Sequence, residues 1–385
     1  MEYRKLKTLA KYPTGKLNSN AAVEEGKYPF FTCAHDIYRI DQYSYDGEYV
    51  LLGGNNASGD FPVFYYNGKF DAYQRTYLIQ PLSKDTDTKY LYYSIGLKLH
   101  QMKANASGTA TKFLTQPILN NINIEYRDIE EQKRIADILS NYDNLIENNN
   151  KRIKLLEQMA ENLYKEWFVR FRFPGYKDEK FIDGFPKKWE KAKLDDVLNK
   201  IATGLNPRKN FVLGEGKNFY VTIKNMADNT VYLDDKCDKV NDDAIIKINK
   251  RSDLKIGDLL FSGIGTIGRV CLIDIPTNNW NISESVFTMR ANKKISSEFL
   301  YMLLLSQDVQ NYCQSKANGS AQKGIRMGDL RKYTFLLPTK NVINDFTNQI
   351  SPVLRNVSLL RNENKNLIQQ RDMLLPRLMS GKLEV

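Results

Sequence analysis

The chain repeats one sequence plan twice, and this repeat limits its fold more than any other feature. Val50–Gly59 aligns with Leu259–Gly268 at a constant separation of 209 residues, and the same separation pairs Tyr90–Tyr92 with Phe299–Tyr301. A chain of 385 residues is long enough for two or three domains. We therefore predict two copies of one module, built from the same elements in the same order.

Short loop motifs also recur in both copies. Thr14-Gly15 in the first copy matches Thr203-Gly204 in the second, and Lys103–Ser107 matches Lys316–Ser320. Loops that return at equivalent positions on a repeated frame are candidates for a shared function. These loops are therefore the first place to look for a binding site.

Each copy ends in a long segment whose apolar residues recur every seven positions. Such a pattern is typical of an amphipathic helix with a coiled-coil seam. Polar residues inside the seam, Asn149 and Asn364, cost stability and fix register or orientation. Packing of each helix on its own module alone is the alternative, but segments this long favour mutual pairing. The predicted seam positions are Leu139, Ile146, Asn149, Ile153, Val353, Leu360, Asn364 and Leu367.

Two related copies that face each other across a twofold axis must run in opposite directions. The predicted fold class is therefore α+β: two similar globular α/β domains separated by two long antiparallel helices that form a coiled coil, with a pseudo-twofold internal repeat. The predicted boundaries are residues 1–126 for the first globular domain, 127–172 for the first helix, 173–340 for the second globular domain and 341–385 for the second helix.

A glycine motif in the second copy raises the question of a cofactor site. Gly263, Gly265 and Gly268 have the GxGxxG spacing that cradles a dinucleotide or S-adenosylmethionine when a strand precedes it and a helix follows. The following segment, Arg269–Pro276, is β-branched and closed by proline, which favours a second strand. A hairpin turn is therefore the preferred interpretation, and we predict no cofactor.

Composition indicates a globular protein with a polyanionic partner. Hydrophobic residues make up 42% of the chain without a run of membrane length, so no membrane partner is expected. The four cysteines form no CxxC pair and there are two histidines, which argues for a reducing cytoplasm and against a metal site. The net charge is +11, and most of the basic excess lies in residues 173–340.

Two stretches carry a family resemblance that extends over essentially the whole chain. They are AENLYKEWFVRFRFPG, residues 160–175, and LLPRLMSGKLEV, residues 374–385. With the repeat and the paired helices, they resemble the specificity subunit of type I restriction-modification systems. The resemblance implies two target-recognition domains that each bind one half of a split sequence in double-stranded DNA. It also implies two methyltransferase subunits and further restriction translocase-nuclease subunits as partners, which carry out the catalysis.

The chain itself lacks the motifs of those catalytic subunits. An adenine methyltransferase needs an Asn/Asp-Pro-Pro-aromatic element for the flipped base, and Asn206–Lys209 lacks the second proline and the aromatic residue. No GxxxxGK[ST] phosphate loop is present. Asp234-Asp235 and Asp242-Asp243 are adjacent carboxylates in polar stretches, for which solvated turns are the simpler interpretation. We therefore predict a subunit that is not itself an enzyme.

The recurring loops supply the candidate DNA contacts, because their side chains can reach phosphates and base edges. For any one of them, an ordinary solvated surface position is the alternative. Two other functions stay open: an enzyme that methylates or cuts DNA by itself, and a coiled-coil scaffold without DNA contact. The candidate DNA-binding residues are Lys16, Asn55, Asn56, Lys112, Arg208, Lys209, Gln322, Lys323 and Arg326.

Overall fold

The computed structural model describes residues 2–108, 110–317 and 323–385. It contains two compact units: Met1–Asn149 with Asn362–Val385, and Asn150–Arg361. Both unit boundaries fall inside long helices, so each long helix contributes one part to each unit. The domain boundaries expected from the sequence follow the chain and stay a prediction.

The first unit is built on a six-stranded sheet in the order β2-β8-β5-β7-β3-β4, and β1 pairs with β10 beside it. Its strands are β1 (Glu2–Lys5), β2 (Ala10–Lys11), β3 (Tyr28–Phe31), β4 (Tyr38–Ile40), β5 (Tyr45–Gly53), β6 (Asn55–Asn56), β7 (Val63–Ala72), β8 (Thr76–Pro81), β9 (Lys112–Phe113) and β10 (Asn123–Tyr126). Its helices are α1 (Leu6–Leu9), α2 (Thr88–Asn105), α3 (Gln116–Asn120), the first part of α4 (Ile129–Tyr164) and the last part of α9 (Lys340–Met379).

Successive side chains of β5 point to opposite faces of this sheet, and both faces are buried. Val50 and Leu52 pack in the core that includes α2, whereas Leu51 packs on the opposite face with Phe31 and Phe70. Successive strand residues point to opposite faces, so a fully apolar run is what a sheet covered on both sides requires. The helix on one face, α2, begins where the Asp87 carboxylate accepts a hydrogen bond from the Tyr90 amide at 2.8 Å.

The second unit repeats this arrangement with the sheet divided into four strands, β14-β22-β19-β20, and three strands, β18-β15-β21. Its strands are β11 (Phe181–Ile182), β12 (Phe185–Pro186), β13 (Glu190–Lys193), β14 (Leu198–Thr203), β15 (Asn218–Val221), β16 (Met226–Ala227), β17 (Thr230–Val231), β18 (Asp238–Val240), β19 (Leu259–Ser262), β20 (Val270–Leu272), β21 (Trp280–Ile282), β22 (Val286–Ala291) and β23 (Thr334–Leu337). Its helices are the last part of α4, α5 (Asp242–Ser252), α6 (Ser297–Leu305), α7 (Gln307–Lys316), α8 (Met327–Arg331) and the first part of α9 (Lys340–Met379).

Strand pairing confirms the predicted repeat. The pair β1 and β10 in the first unit corresponds to β13 and β23 in the second, and both pairs are antiparallel. The parallel pair β3 and β7 corresponds to β15 and β21. Where the first unit has the continuous strand β7, the second has β20 and β21 with a connection between them. The class is therefore mixed α+β with two similar modules, as expected.

The last turns of each long helix pack into a hydrophobic core. Those of α4 join the core of the second unit, and those of α9 join the core of the first unit. In the second unit, Ala160 and Tyr164 of α4 and Trp167 of the following π-helical turn, Lys165–Val169, join the core. In the first unit, Leu378 and Met379 of α9 do the same. Among the residues that the structure describes, no helix is both long and apolar enough to cross a membrane.

The long helices run antiparallel in both units, as predicted. In the first unit, Asp143 pairs with Arg371 at 2.6 Å, and Asn149 donates to Asn364 at 3.0 Å. The residue numbers of the α9 partners therefore fall as the residue numbers along α4 rise. In the second unit, Ile153 packs with Val357 and Leu360. Of the predicted seam residues, Ile146 and Leu367 are half-buried, and the others, Leu139, Asn149, Ile153, Val353, Leu360 and Asn364, are buried.

Candidate nucleic-acid interface

Three loops of the second module meet at the turn that precedes β22. The Gly204 amide donates to the Ser283 carbonyl at 3.1 Å, and the Gly263 amide donates to the Ser285 carbonyl at 3.0 Å. The Gly263 carbonyl in turn accepts from the Ile325 amide at 2.8 Å. These bonds bring together three loops: the loop that carries Arg208 and Lys209, the glycine motif, and the loop that carries Lys323 and Arg326.

The first module joins the matching loops in the same way. The Gly15 amide donates to the Thr76 carbonyl at 3.0 Å, and the Gly54 amide donates to the Arg75 carbonyl at 2.8 Å. The Gly54 carbonyl accepts from the Leu114 amide at 2.8 Å. Loops that are about 40 residues or more apart in the sequence therefore form one surface in each module.

A close backbone approach explains the Thr-Gly motif that both copies share. A Cβ atom on Gly15 would lie 2.2 Å from the Ala72 carbonyl oxygen, and one on Gly204 would lie 1.6 Å from the Ile282 carbonyl oxygen. Glycine is the residue that permits such an approach. The motif therefore holds the first loop against the turn that follows β7 in the first module and precedes β22 in the second.

The structure places most of the predicted contact residues on these two surfaces. Lys16, Arg208, Lys209, Lys323 and Arg326 are exposed, whereas Asn55, Asn56 and Lys112 are half-buried. Exposed basic side chains on loops suit contacts with phosphate groups. Gln322 lies outside the described residues. The roles of all these residues stay a prediction.

Asn55 and Asn56 lie in the connection between the antiparallel strands β5 and β7. They constitute β6, which pairs with β9, so that Asn56 lies opposite Lys112. The Asn56 side-chain oxygen accepts hydrogen bonds from the Ser58 amide at 2.9 Å and hydroxyl at 2.7 Å. Among the described residues, the buried Oδ1 atom of Asn55 has no hydrogen-bond partner.

The Arg208-Lys209 loop is anchored by side chains. Asn206 donates to the Glu284 carboxylate at 2.6 Å and accepts from the Arg208 amide at 3.0 Å. The Tyr220 hydroxyl lies 2.7 Å from the Leu205 carbonyl oxygen and 3.2 Å from a Glu284 carboxylate oxygen, and its single proton is shared between these two acceptors. Burial, followed by the charge of Glu284, raises the pKa of Tyr220, so its hydroxyl stays protonated and keeps its role as a donor. The anchoring leaves Arg208 and Lys209 exposed.

Further polar residues lie on the first module's surface and were not identified from the sequence. Gln74 and Arg75 lie in the turn between β7 and β8, and both side chains are exposed. The Arg75 guanidinium lies 5.5 Å from the centre of the Phe113 ring. The Lys103 and Lys112 side chains flank Gly59. The available sequence signal was that the constant separation of 209 residues aligns Gln74-Arg75 with Ser283-Glu284, which changes the charge of this segment.

The glycine motif is a hairpin turn, as the sequence predicts. Strands β19 and β20 on either side of it are antiparallel, with Phe261 opposite Val270. A dinucleotide cradle requires a helix after the glycines, whose free amides hold the phosphate. No group of three or more His, Cys, Asp or Glu residues suited to a metal occurs among the described residues. Burial also raises the pKa of the Cys33 thiol, which disfavours the thiolate that would bind a metal.

Purified alone, the chain should not bind S-adenosylmethionine, because the turn offers no helix amino terminus to the cofactor. Isothermal titration calorimetry of the wild type against Gly265→Val measures this. Both proteins should give the same heat of dilution. Stoichiometric binding that the substitution abolishes would restore the motif as a cofactor site.

Comparisons with known proteins agree on one family. The model of the type I restriction modification DNA specificity domain matches residues 1–158 and 186–370. The specificity subunit of the type I restriction enzyme EcoDI from Escherichia coli is 25% identical over 348 residues, covering 84% of this chain and 74% of that protein. The MjaIX specificity subunit from Methanocaldococcus jannaschii is 26% identical over 313 residues, covering 77% and 69%.

A solved structure shows the same fold. The S subunit of a type I restriction-modification system from M. genitalium aligns with a TM-score of 0.65 at 17% sequence identity. The alignment covers 98% of this chain and 95% of that one. The similarity therefore extends over both modules and both long helices.

Proposed function

The chain belongs to the type I restriction modification DNA specificity family, and from that premise we propose that it selects the DNA target for a restriction-modification complex. Each module binds one half of a bipartite, asymmetric sequence. One observation carries this proposal: in each module, three separate loops with basic or amide side chains are joined by backbone hydrogen bonds into one surface. Rigid backbones with exposed donors are what base readout in the major groove requires.

The asymmetry of the target follows from differences between the two surfaces. The first carries Asn55, Asn56 and Lys112, whereas the second carries Arg208 and Lys323 among its basic residues. Side chains of different donor and acceptor pattern select different base pairs. The repeat therefore supplies a common frame, and the loops supply two different half-site preferences.

The catalytic work belongs to partner subunits. Two modules with the same frame offer two equivalent docking positions away from the recognition loops, which supports recruitment of two methyltransferase subunits together with restriction translocase-nuclease subunits. Exposed apolar side chains on the long helices, among them Leu155 at 64% and Leu359 at 59% exposure, support the helices as part of those contacts. The chain's own contribution is DNA binding and assembly, without a cofactor.

Methylation mapping tests the function directly. Cells that carry this chain with its methyltransferase subunit should show methylated adenine in a split motif, two specific halves separated by a gap without sequence preference. Single-molecule sequencing of genomic DNA measures the motif. A continuous motif, or methylation without the chain, would contradict the proposal.

Exchange of one module should change one half of that motif. We expect replacement of residues 186–340 with the matching region of a related subunit to alter one half-site completely and leave the other intact, because each surface is built within one module. The matched control replaces residues 1–126 and should alter the opposite half. A simultaneous change in both halves from either exchange would show that the modules do not act independently.

A further inference from the structure

The turn between β7 and β8 is the centre of the first module's surface. Tyr73 to Thr76 form a β-turn in which the Thr76 amide donates to the Tyr73 carbonyl at 2.8 Å. Gln74 and Arg75 are its two central residues. The Gln74 amide donates to the Leu17 carbonyl at 2.8 Å, and the Arg75 carbonyl accepts from Gly54. Two neighbouring loops therefore hold the backbone of this turn from both sides.

The side chains of the turn are exposed but restrained. The Arg75 guanidinium lies 5.5 Å from the centre of the Phe113 ring, within cation–π range. The side-chain amide nitrogen of Gln74 donates a hydrogen bond to the side-chain oxygen of Asn18 at 3.0 Å. A restrained guanidinium loses less entropy when it binds, and its fork of N–H groups matches guanine O6 and N7. A glutamine amide matches adenine N6 and N7 in the same way.

The equivalent turn of the second module has different chemistry. It runs from Ser283 to Val286, with Glu284 and Ser285 at its centre. Glu284 is already engaged by Asn206 and Tyr220, and the Ser285 hydroxyl is hydrogen-bonded to that of Ser283 at 2.8 Å. A carboxylate satisfied within the protein offers no donor to guanine. The turn is thus an available base-contacting element in the first module only.

We propose that Gln74 and Arg75 are specificity-determining residues of the first module, with Arg75 contacting guanine and Gln74 contacting adenine in the major groove. This inference rests on the proposed function, because it assigns residues to one of its two half-sites. Lys16, Lys103 and Lys112 on the surrounding loops then hold the flanking phosphate groups. The wild-type half-site of the first module must accordingly contain a required guanine and a required adenine, on either strand.

Substitution of Arg75 within the complete methyltransferase complex tests the proposal. We expect Arg75→Ala to relax the requirement for guanine at one position of the first half-site, with discrimination there falling about 5- to 150-fold. The second half-site stays unchanged. Gln74→Ala should relax one adenine position in the same half. Competition binding between duplexes that differ at single base pairs measures discrimination even where the variant no longer supports methylation.

The matched control is Arg4→Ala. Arg4 is also an arginine placed over an aromatic ring, 3.4 Å from the centre of Tyr126, and its side chain is 40% exposed, but it lies in β1 and outside the three loops. The Arg4→Ala variant should leave both half-sites unchanged. If Arg75→Ala kept wild-type discrimination, or weakened binding equally for every sequence as a phosphate contact would, the inference would be wrong. A wild-type complex without a bipartite motif would instead overturn the proposed function itself.

Discussion

Aspartate at both Ile153 and Leu360 should disrupt the paired helices and with them DNA recognition. Both side chains are buried, with 9% and 6% exposure, and they pack together with Val357. Two like charges placed in this apolar seam lose their hydration and repel each other, which we expect to cost about 4 kcal/mol or more. That is a large part of the roughly 5–15 kcal/mol that stabilises a typical protein. Thermal unfolding of the purified chain measures the loss.

A control at exposed positions close to the two seam residues separates seam burial from added charge. Leu155 lies two residues after Ile153 and Leu359 lies one residue before Leu360, yet they are 64% and 59% exposed. Aspartate at these two positions should change the melting temperature by no more than a few degrees. Equal melting curves for the seam variant and the wild type would show that these residues do not stabilise the pair.

Matched insertions in the two long helices should lengthen the gap between the half-sites. Four helix-forming residues inserted between Asn149 and Asn150, and four between Arg361 and Asn362, keep antiparallel partners together, and both positions lie at the boundary between the compact units. Four residues add about 6 Å and one near-complete turn, so the apolar rows stay almost in phase. Because base pairs rise about 3.4 Å, we expect the gap to grow by one or two base pairs.

The measurement is single-molecule sequencing of methylated DNA from cells that carry the insertion variant. Both half-site sequences should be unchanged, because the recognition loops are untouched. Insertion of two residues in each helix is the matched control: it rotates the following segments by about 200°, moves the apolar rows off the seam, and should abolish methylation. An active four-residue variant with an unchanged gap would show that the helices do not set the spacing.

The repeat and the helix seam could be predicted because both depend on local regularities. Heptad spacing follows from helical geometry alone, so Leu139 and Ile153 were identified as seam residues without knowledge of their neighbours. The glycine motif was likewise interpretable as a hairpin, because the β-branched segment after it excludes the helix that a cofactor needs. The family resemblance rests on motifs that the linear sequence displays in full.

Other features depend on residues that are distant in the chain and meet after folding. The Gln74-Arg75 turn became the centre of a surface because Leu17 and Gly54 bind its backbone, and no local pattern reports those bonds. Asn55 and Asn56 pair with β9 for the same reason.

The sequence by itself determined two modules, two paired helices and the set of loops, since periodicity and repetition are properties of the linear chain. Tertiary structure alone decided which loops meet and what completes each core. Leu378 and Met379, near the end of the last helix, fill the core of the first unit. The physical reason is that apolar burial is non-directional: a periodic pattern shows which face of a helix is buried, but only the folded chain specifies the partner.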